Sequence, residues 1–157
     1  MIDAIRAVFD CKTFLQALAA PEGPAGRCVQ LAFDGGISLF VSPFVLEELR
    51  NVTSRPKVIA KLRIVVDRVA DFREAIEVAA TVLDGFPERF AYQRDPDDAP
   101  YVNLAIAANA TRIVSPDKDL LDLMDPTKPE AAEFQVQFPS LRIVNPVEFL
   151  REMESLQ

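Results

Sequence analysis

The sequence predicts an α/β fold, with a mostly parallel sheet and helices on both of its faces. Three observations carry that prediction. Short apolar runs rich in branched and aromatic side chains stand at residues 5–10, 37–41, 111–114 and 141–144, and such runs read as buried strands. The intervals between them carry helical patterns, and strands that alternate with helices form a parallel sheet covered on each face. The composition (50% hydrophobic and 26% charged over 157 residues) suits a chain that buries one core. No repeat, low-complexity tract or linker divides the chain, so residues 1–157 are expected to form a single domain.

In order, residues 5–10 (IRAVFD) form the first strand and end on Asp10. Residues 13–20 and 25–34 read as two helices, split by Pro21, Gly23 and Pro24. After the strand at 37–41, Ser42 is placed to cap a helix over 43–53, with Pro43 at its first position. Residues 66–83 give the longest helical pattern, followed by a helix over 98–109 and the strand TRIV at 111–114. Residues 124–139 carry three prolines and no clear period, so they are expected to form a surface insertion. The strand LRIV and a helix over 146–155 complete the chain.

Several kinds of chemistry are excluded at once. With no histidine there is no Ser-His-Asp or Cys-His triad and no histidine base or zinc ligand. The two cysteines, Cys11 and Cys28, can build neither a four-cysteine zinc site nor a disulfide scaffold, and a reducing cytoplasm is the expected location. No apolar run approaches the roughly 20 residues needed to cross a bilayer, and Asp3 and Arg6 interrupt the N-terminal apolar run, which does not read as a signal peptide. A net charge of −7 argues against a protein that lives by phosphate attraction alone.

Four acids depart from an ordinary solvated surface. Asp10 ends the first strand, on the sheet edge where parallel α/β folds bind ligands, although a strand-end Asp also caps a following helix. Phe44, Val45, Leu49 and Val52 form an apolar stripe in which Glu48 fills the missing i+4 place; Glu47 lies off it. A carboxylate on such a stripe needs a partner, either an arginine or a site. Asp98 opens the helix carrying Tyr101, Leu104 and Ala105, with Asp97 a second candidate and the helix dipole the plain structural explanation. Asp117 follows the strand TRIV, and Asp119 lies one step further out. Gathered in one crevice, these carboxylates would repel one another, and hard oxygen ligands without His or Cys select Mg²⁺ or Mn²⁺.

The ordered segments AVFD-CKTFLQAL, LFVSPFVLEELRNVTSRPKV, RDPDDAPYVNLAIAANATRIVSPDKDLL and LRIVNPVEFL resemble PIN domains over residues 5 to about 150. Within them the chain is most similar to the toxin components of toxin–antitoxin systems, related to VapC-type ribonucleases. The resemblance implies a Rossmann-like three-layer α/β/α sandwich and Mg²⁺- or Mn²⁺-dependent cleavage of RNA. It further implies a cognate antitoxin as partner and a homodimer, for which Phe14, Leu15, Leu18 and Leu31 offer apolar surface unless the core takes them. It maps the catalytic and metal-binding acids onto Asp10, Glu48, Asp98 and Asp117, with Ser115 as the supporting hydroxyl.

One departure matters. The family reads D-T-N after the first strand, whereas here the run is Asp10-Cys11-Lys12. Lys12 could contact an RNA phosphate, weaken the site by competing with the cation, or bend into solvent. If it weakens the site, the chain is a degenerate PIN fold acting as a binding or regulatory module. For RNA, the expected footprint is the basic run Arg50, Arg55, Lys57, Lys61 and Arg63, with Arg94 and Lys118 flanking the acids. Recognition through phosphates and shape is expected, because no aromatic–basic interleaving is present.

Overall fold

A computed structural model describes residues 4–156; residues 1–3 and 157, and with them Asp3 of the leader reading, lie outside the described residues. Five strands, β1 (Ile5–Phe9), β2 (Ile37–Val41), β3 (Thr81–Val82), β4 (Arg112–Val114) and β5 (Arg142–Val144), make one sheet in the order β3-β2-β1-β4-β5. Every pairing is parallel, with Ala7 of β1 opposite Leu39 on one side and Arg112 on the other. The chain builds outward from β1 through β2 to β3, then crosses back to β4. The direction of winding therefore reverses between β1 and β4, and the crevice at their carboxyl ends is the natural ligand site of such a sheet.

Helices α1 (Cys11–Ala19), α2 (Pro24–Phe33), α3 (Pro43–Thr53), α4 (Pro56–Leu62), α5 (Val69–Ala79), α6 (Ala99–Ala107), α7 (Lys118–Leu121), α8 (Pro129–Gln137) and α9 (Pro146–Ser155) connect the strands. Two begin by the same device. The Ser42 hydroxyl accepts from the Val45 N–H and the Asn145 side chain accepts from the Glu148 N–H, with proline next in each case. At the sheet centre Ala7, Val8 and Phe9 are fully buried, and the Phe9 ring meets Phe14 of α1 and Phe149 of α9 at centroid distances of 5.9 and 6.0 Å. Gly26 of α2 lies against the turn that follows α1, where a Cβ would fall 2.1 Å from the Pro21 carbonyl oxygen. Among the described residues, no helix is long and apolar enough to cross a membrane.

Several expected elements are corrected. The pattern over 66–83 breaks into a 3₁₀ turn (Val66–Arg68), α5 and the edge strand β3, because Thr81 and Val82 pair with Phe40 and Val41. Val78, which extended that pattern, is 82% exposed. The basic segment after residue 55 is itself a helix, α4, opened by Pro56 and closed by Arg63 in the left-handed region at φ 55°. Residues 124–139 are not a surface insertion: α8 buries Ala131 and Phe134, and the Phe134 ring packs edge-on against Phe90 at 5.4 Å. Of the apolar residues offered for a homodimer face, Phe14 and Leu18 are buried and Leu15 and Leu31 are half-buried against the core.

Candidate active site

Asp10 sits where β1 ends and caps α1. One carboxylate oxygen accepts from the Thr13 N–H and hydroxyl, both at 2.9 Å; the other accepts from the Ser115 hydroxyl at 2.5 Å. The same Ser115 oxygen accepts from the Asp117 N–H at 2.9 Å, so one buried hydroxyl ties the end of β1 to the turn after β4. Burial raises the Asp10 carboxyl to about 6, against the opposing pull of those hydrogen bonds.

Glu48 reaches the same edge from α3. It is half-buried, and its Oε2 accepts from the Tyr101 hydroxyl at 2.9 Å. The Tyr101 oxygen accepts in turn from the Cys11 N–H at 3.2 Å, which links α3, α6 and α1 beside Asp10. Burial raises the Glu48 carboxyl and the Tyr101 bond opposes that rise. Burial and the neighbouring carboxylates also push the Cys11 thiol up to about 12, so it stays a neutral core group. Glu47 is exposed, and so is Phe44 at 47%, which corrects the stripe at its first position.

Asp98 is the acid with the least support. It lies in a 3₁₀ turn (Pro96–Asp98) just before α6, is only 6% exposed, and its Oδ2 is buried without a hydrogen-bond partner. Burial, then Asp117 and Asp95, raise its carboxyl to about 8. Asp95, Asp98 and Asp119 each bring a carboxylate oxygen within 4.8 Å of the other two. Asp95 was not among the candidates from sequence. A turn closed by the Asp98 N–H on the Asp95 carbonyl, 3.1 Å, brings it in, and the three-residue spacing is the signal that could have found it. Asp97 is exposed and lines a different cleft, with Phe44, Glu48 and Arg55.

The charged partners sort out unexpectedly. Lys12 turns toward the acids, with its Nζ 3.0 Å from Asp117 Oδ2, while Asp117 Oδ1 accepts from the Asp119 N–H at 3.0 Å. Partial burial works against the Lys12 charge, but Asp117, Asp10 and Asp98 outweigh it and the ammonium is favoured. Arg94 is ion-paired: its guanidinium pairs with Asp119 at 2.9 Å and Asp122 at 2.5 Å, while the neighbouring Tyr92 hydroxyl donates to the Asp119 carbonyl. Arg50 faces α5 in a groove with Arg73, Glu74 and Glu77, apart from the Glu48 cleft that holds Arg55. Lys57 and Lys61 are exposed on α4, as are Arg63 at its end and Lys118 on α7. Phe44 also borders an apolar cavity of about 540 Å³ with Phe90, Tyr92 and Pro96.

The donor set suits a hard divalent cation. All the candidate ligands are carboxylates, burial and neighbouring carboxylates raise Asp10, Glu48 and Asp98 among them, and one buried oxygen is partnerless. Fold and site together define a class: a Rossmann-like α/β protein with a carboxylate centre at its topological switch point. The PIN domain family matches residues 6–119, and the chain belongs to that family. PIN domains are generally nucleases and typically use divalent metals. The chain is also similar to an uncharacterized protein of Methanocaldococcus jannaschii, MJ1680, at 29% identity over 150 residues, covering 96% of this chain and 92% of that relative.

Proposed function

We propose that the protein is a metal-dependent endoribonuclease of one PIN domain, hydrolysing RNA phosphodiesters with Mg²⁺ or Mn²⁺ at Asp10, Glu48, Asp98 and Asp117, with Asp119 adjoining. The observation that carries this reading is the buried Asp98 oxygen, left without a donor among neighbouring carboxylates. A bound ion would take the place of the proton that burial keeps on Asp98, polarise the scissile phosphate and supply an activated water. The chain's own contributions are positional. Thr13 and Ser115 lock Asp10, and Tyr101 orients Glu48. Arg55, Lys57, Lys61 and Lys118 are the exposed cations left to hold phosphates, with Arg63 beside them. Incubating the pure protein with structured and unstructured RNAs and Mg²⁺ or Mn²⁺, beside Asp10→Asn and Asp98→Asn, tests this. Cleavage by the wild type that both substitutions abolish is expected; equal trace cleavage by all three would refute it.

A role as the toxin of a toxin–antitoxin pair, acting in the cytoplasm, rests on the motif order described above. Growth arrest on expression, relieved by the product of the neighbouring reading frame, is its test. One observation favours a second reading. The Lys12–Asp117 pair occupies a carboxylate that a nuclease would offer to its ion, as a degenerate binding module would show. RNA binding without cleavage at saturating Mn²⁺ would favour the module.

A further inference from the structure

The apolar cavity of about 540 Å³ opens at the carboxyl ends of β2 and β3, on the same edge of the sheet as Asp10. Its lining is aromatic: Phe44 comes from the start of α3, and Phe86, Phe90 and Tyr92 from the segment between β3 and the turn that carries Asp98. Two residues make it continuous with the acids. Pro96 lines it and belongs to the 3₁₀ turn that ends on Asp98, and Phe44 also borders the cleft that holds Glu48 and Arg55. The wall is preformed. The buried Asn103 of α6 accepts from the N–H groups of Arg89 and Phe90 at 2.7 and 2.9 Å and donates to the Phe90 carbonyl at 2.9 Å. Tyr92 is buried as well, and its hydroxyl ties it to the Asp119 carbonyl at 2.8 Å.

The charge of the lining limits what can enter. No lysine or arginine lines the cavity, whereas the carboxylates of Asp84 and Glu88 do, with the Gln93 amide beside them. An anion is repelled there. A flat neutral ring with N–H groups on its edge is matched twice, by aromatic faces for stacking and by carboxylate acceptors for the edge. Phe44 supplies a free face: it is 47% exposed, and among the described residues no other ring packs on it. The phosphates attached to such a ring meet a cation next door, at Arg55 in the Glu48 cleft.

We propose that this cavity is a nucleobase subsite, which takes a base neighbouring the scissile phosphate, stacked on Phe44, with its N–H edge toward Asp84 and Glu88. This rests on the ribonuclease reading and adds to it a place where the substrate is held by a base rather than by a phosphate. The base must be unpaired to enter, because in a duplex its faces are stacked and its edge is bonded. Phe44 is then a substrate-binding residue, which accounts for an exposed ring on a stripe whose Val45 and Leu49 are fully buried.

Fluorescence anisotropy in chelator, which keeps the strands whole, compares a short labelled single-stranded RNA with an abasic ribose–phosphate strand of the same length. The wild type should bind the base-bearing strand at least about fivefold more tightly. Phe44→Ala should remove that preference and leave the affinity for the abasic strand unchanged, and Phe44→Tyr, which keeps the ring, should retain it. An unchanged melting curve for Phe44→Ala shows that the fold is intact. Equal affinity of the wild type for the two strands, or a preference that survives in Phe44→Ala, would overturn the subsite and leave the apolar lining to a polypeptide partner. A loss shared by both strands would also overturn it, since it marks Phe44 as structural. In each of these cases, RNA cleavage that Asp10→Asn and Asp98→Asn abolish keeps the nuclease reading in place. No affinity for either strand would overturn both.

Discussion

Replacing Asp98 by asparagine keeps the shape of the side chain and removes a titratable group from among Asp10, Asp95 and Asp117. In the native protein burial, Asp117 and Asp95 lift the Asp98 carboxyl from 3.8 to about 8. The folded state thus holds a proton that the unfolded chain has already released. Native stability from this group is complete below about pH 4 and is lost as pH rises through about 8. At about 1.4 kcal/mol per unit the whole shift corresponds to roughly 6 kcal/mol. Asp95 and Asp119 share the repulsion, and the new amide must find acceptors, so a net gain of about 2–3 kcal/mol is expected for Asp98→Asn at high pH. For a domain of this size that raises the melting temperature by roughly 4–12 °C. Thermal unfolding followed by circular dichroism in chelator, from about pH 4 to 9, should show two curves that meet at the acid end and diverge above it. Mn²⁺ should close the gap. At a hundred times its Kd it adds about 2.7 kcal/mol to the wild type and little to the variant. A variant less stable than the wild type at the alkaline end, or one equally stabilised by Mn²⁺, would refute the reasoning.

Glu48→Gln should lower the rate of RNA cleavage by about 10²–10⁴, whereas Glu47→Gln should lose far less; comparable losses in single-turnover assays would remove Glu48 from the site. Tyr101→Phe strips the Cys11 N–H of its acceptor and Glu48 of its donor, and denaturant unfolding should show a loss of about 1–2 kcal/mol. Because that hydrogen bond holds the Glu48 carboxyl down, the acid limb of the pH–rate profile should also move to higher pH in this variant. Gly26→Ala forces the new Cβ against the Pro21 backbone, and equilibrium unfolding should show a loss of about 1–3 kcal/mol.

The fold was legible wherever local chemistry and burial agree. Ser42-Pro43 and Asn145-Pro146 start helices by capping, and α3 and α9 run as the patterns indicate. The four buried strands announce themselves by branched side chains, but β3 does not. It is two exposed residues on the sheet edge, so nothing in its sequence marks burial, and its pairing with β2 is a tertiary fact. The layer over 124–139 was missed for a related reason. Its fully buried residues are few, Ala131 and Phe134, and the Phe134 ring meets Phe90 in a loop of no regular pattern. At the site, strand ends and the stripe drew attention to Asp10, Asp117 and Glu48. Asp95 escaped because its place depends on a single turn, and the direction of Arg94 escaped because ion pairs between distant segments leave no periodic trace.

The surroundings of two arginines of the expected RNA footprint bear on how an acidic chain could meet a polyanion. Arg94 is spent on holding Asp119 and Asp122, and Arg50 lies in a groove shared with Glu74 and Glu77. What remains is a row of exposed cations on and around α4, joined to the site by Arg55, which shares a cleft with Glu48. Few phosphate contacts mean modest electrostatic affinity and a shallow salt dependence. Binding energy must then come from the crevice itself, where an ion held by the carboxylates would face the scissile phosphate. On this reading the repulsion stored among Asp95, Asp98 and Asp119 is what draws the cation in, and the cation is what lets RNA approach. The sheet's switch point is where both requirements can be met, because only there do the ends of β1 and β4 bring acids from distant parts of the chain within reach of one ion.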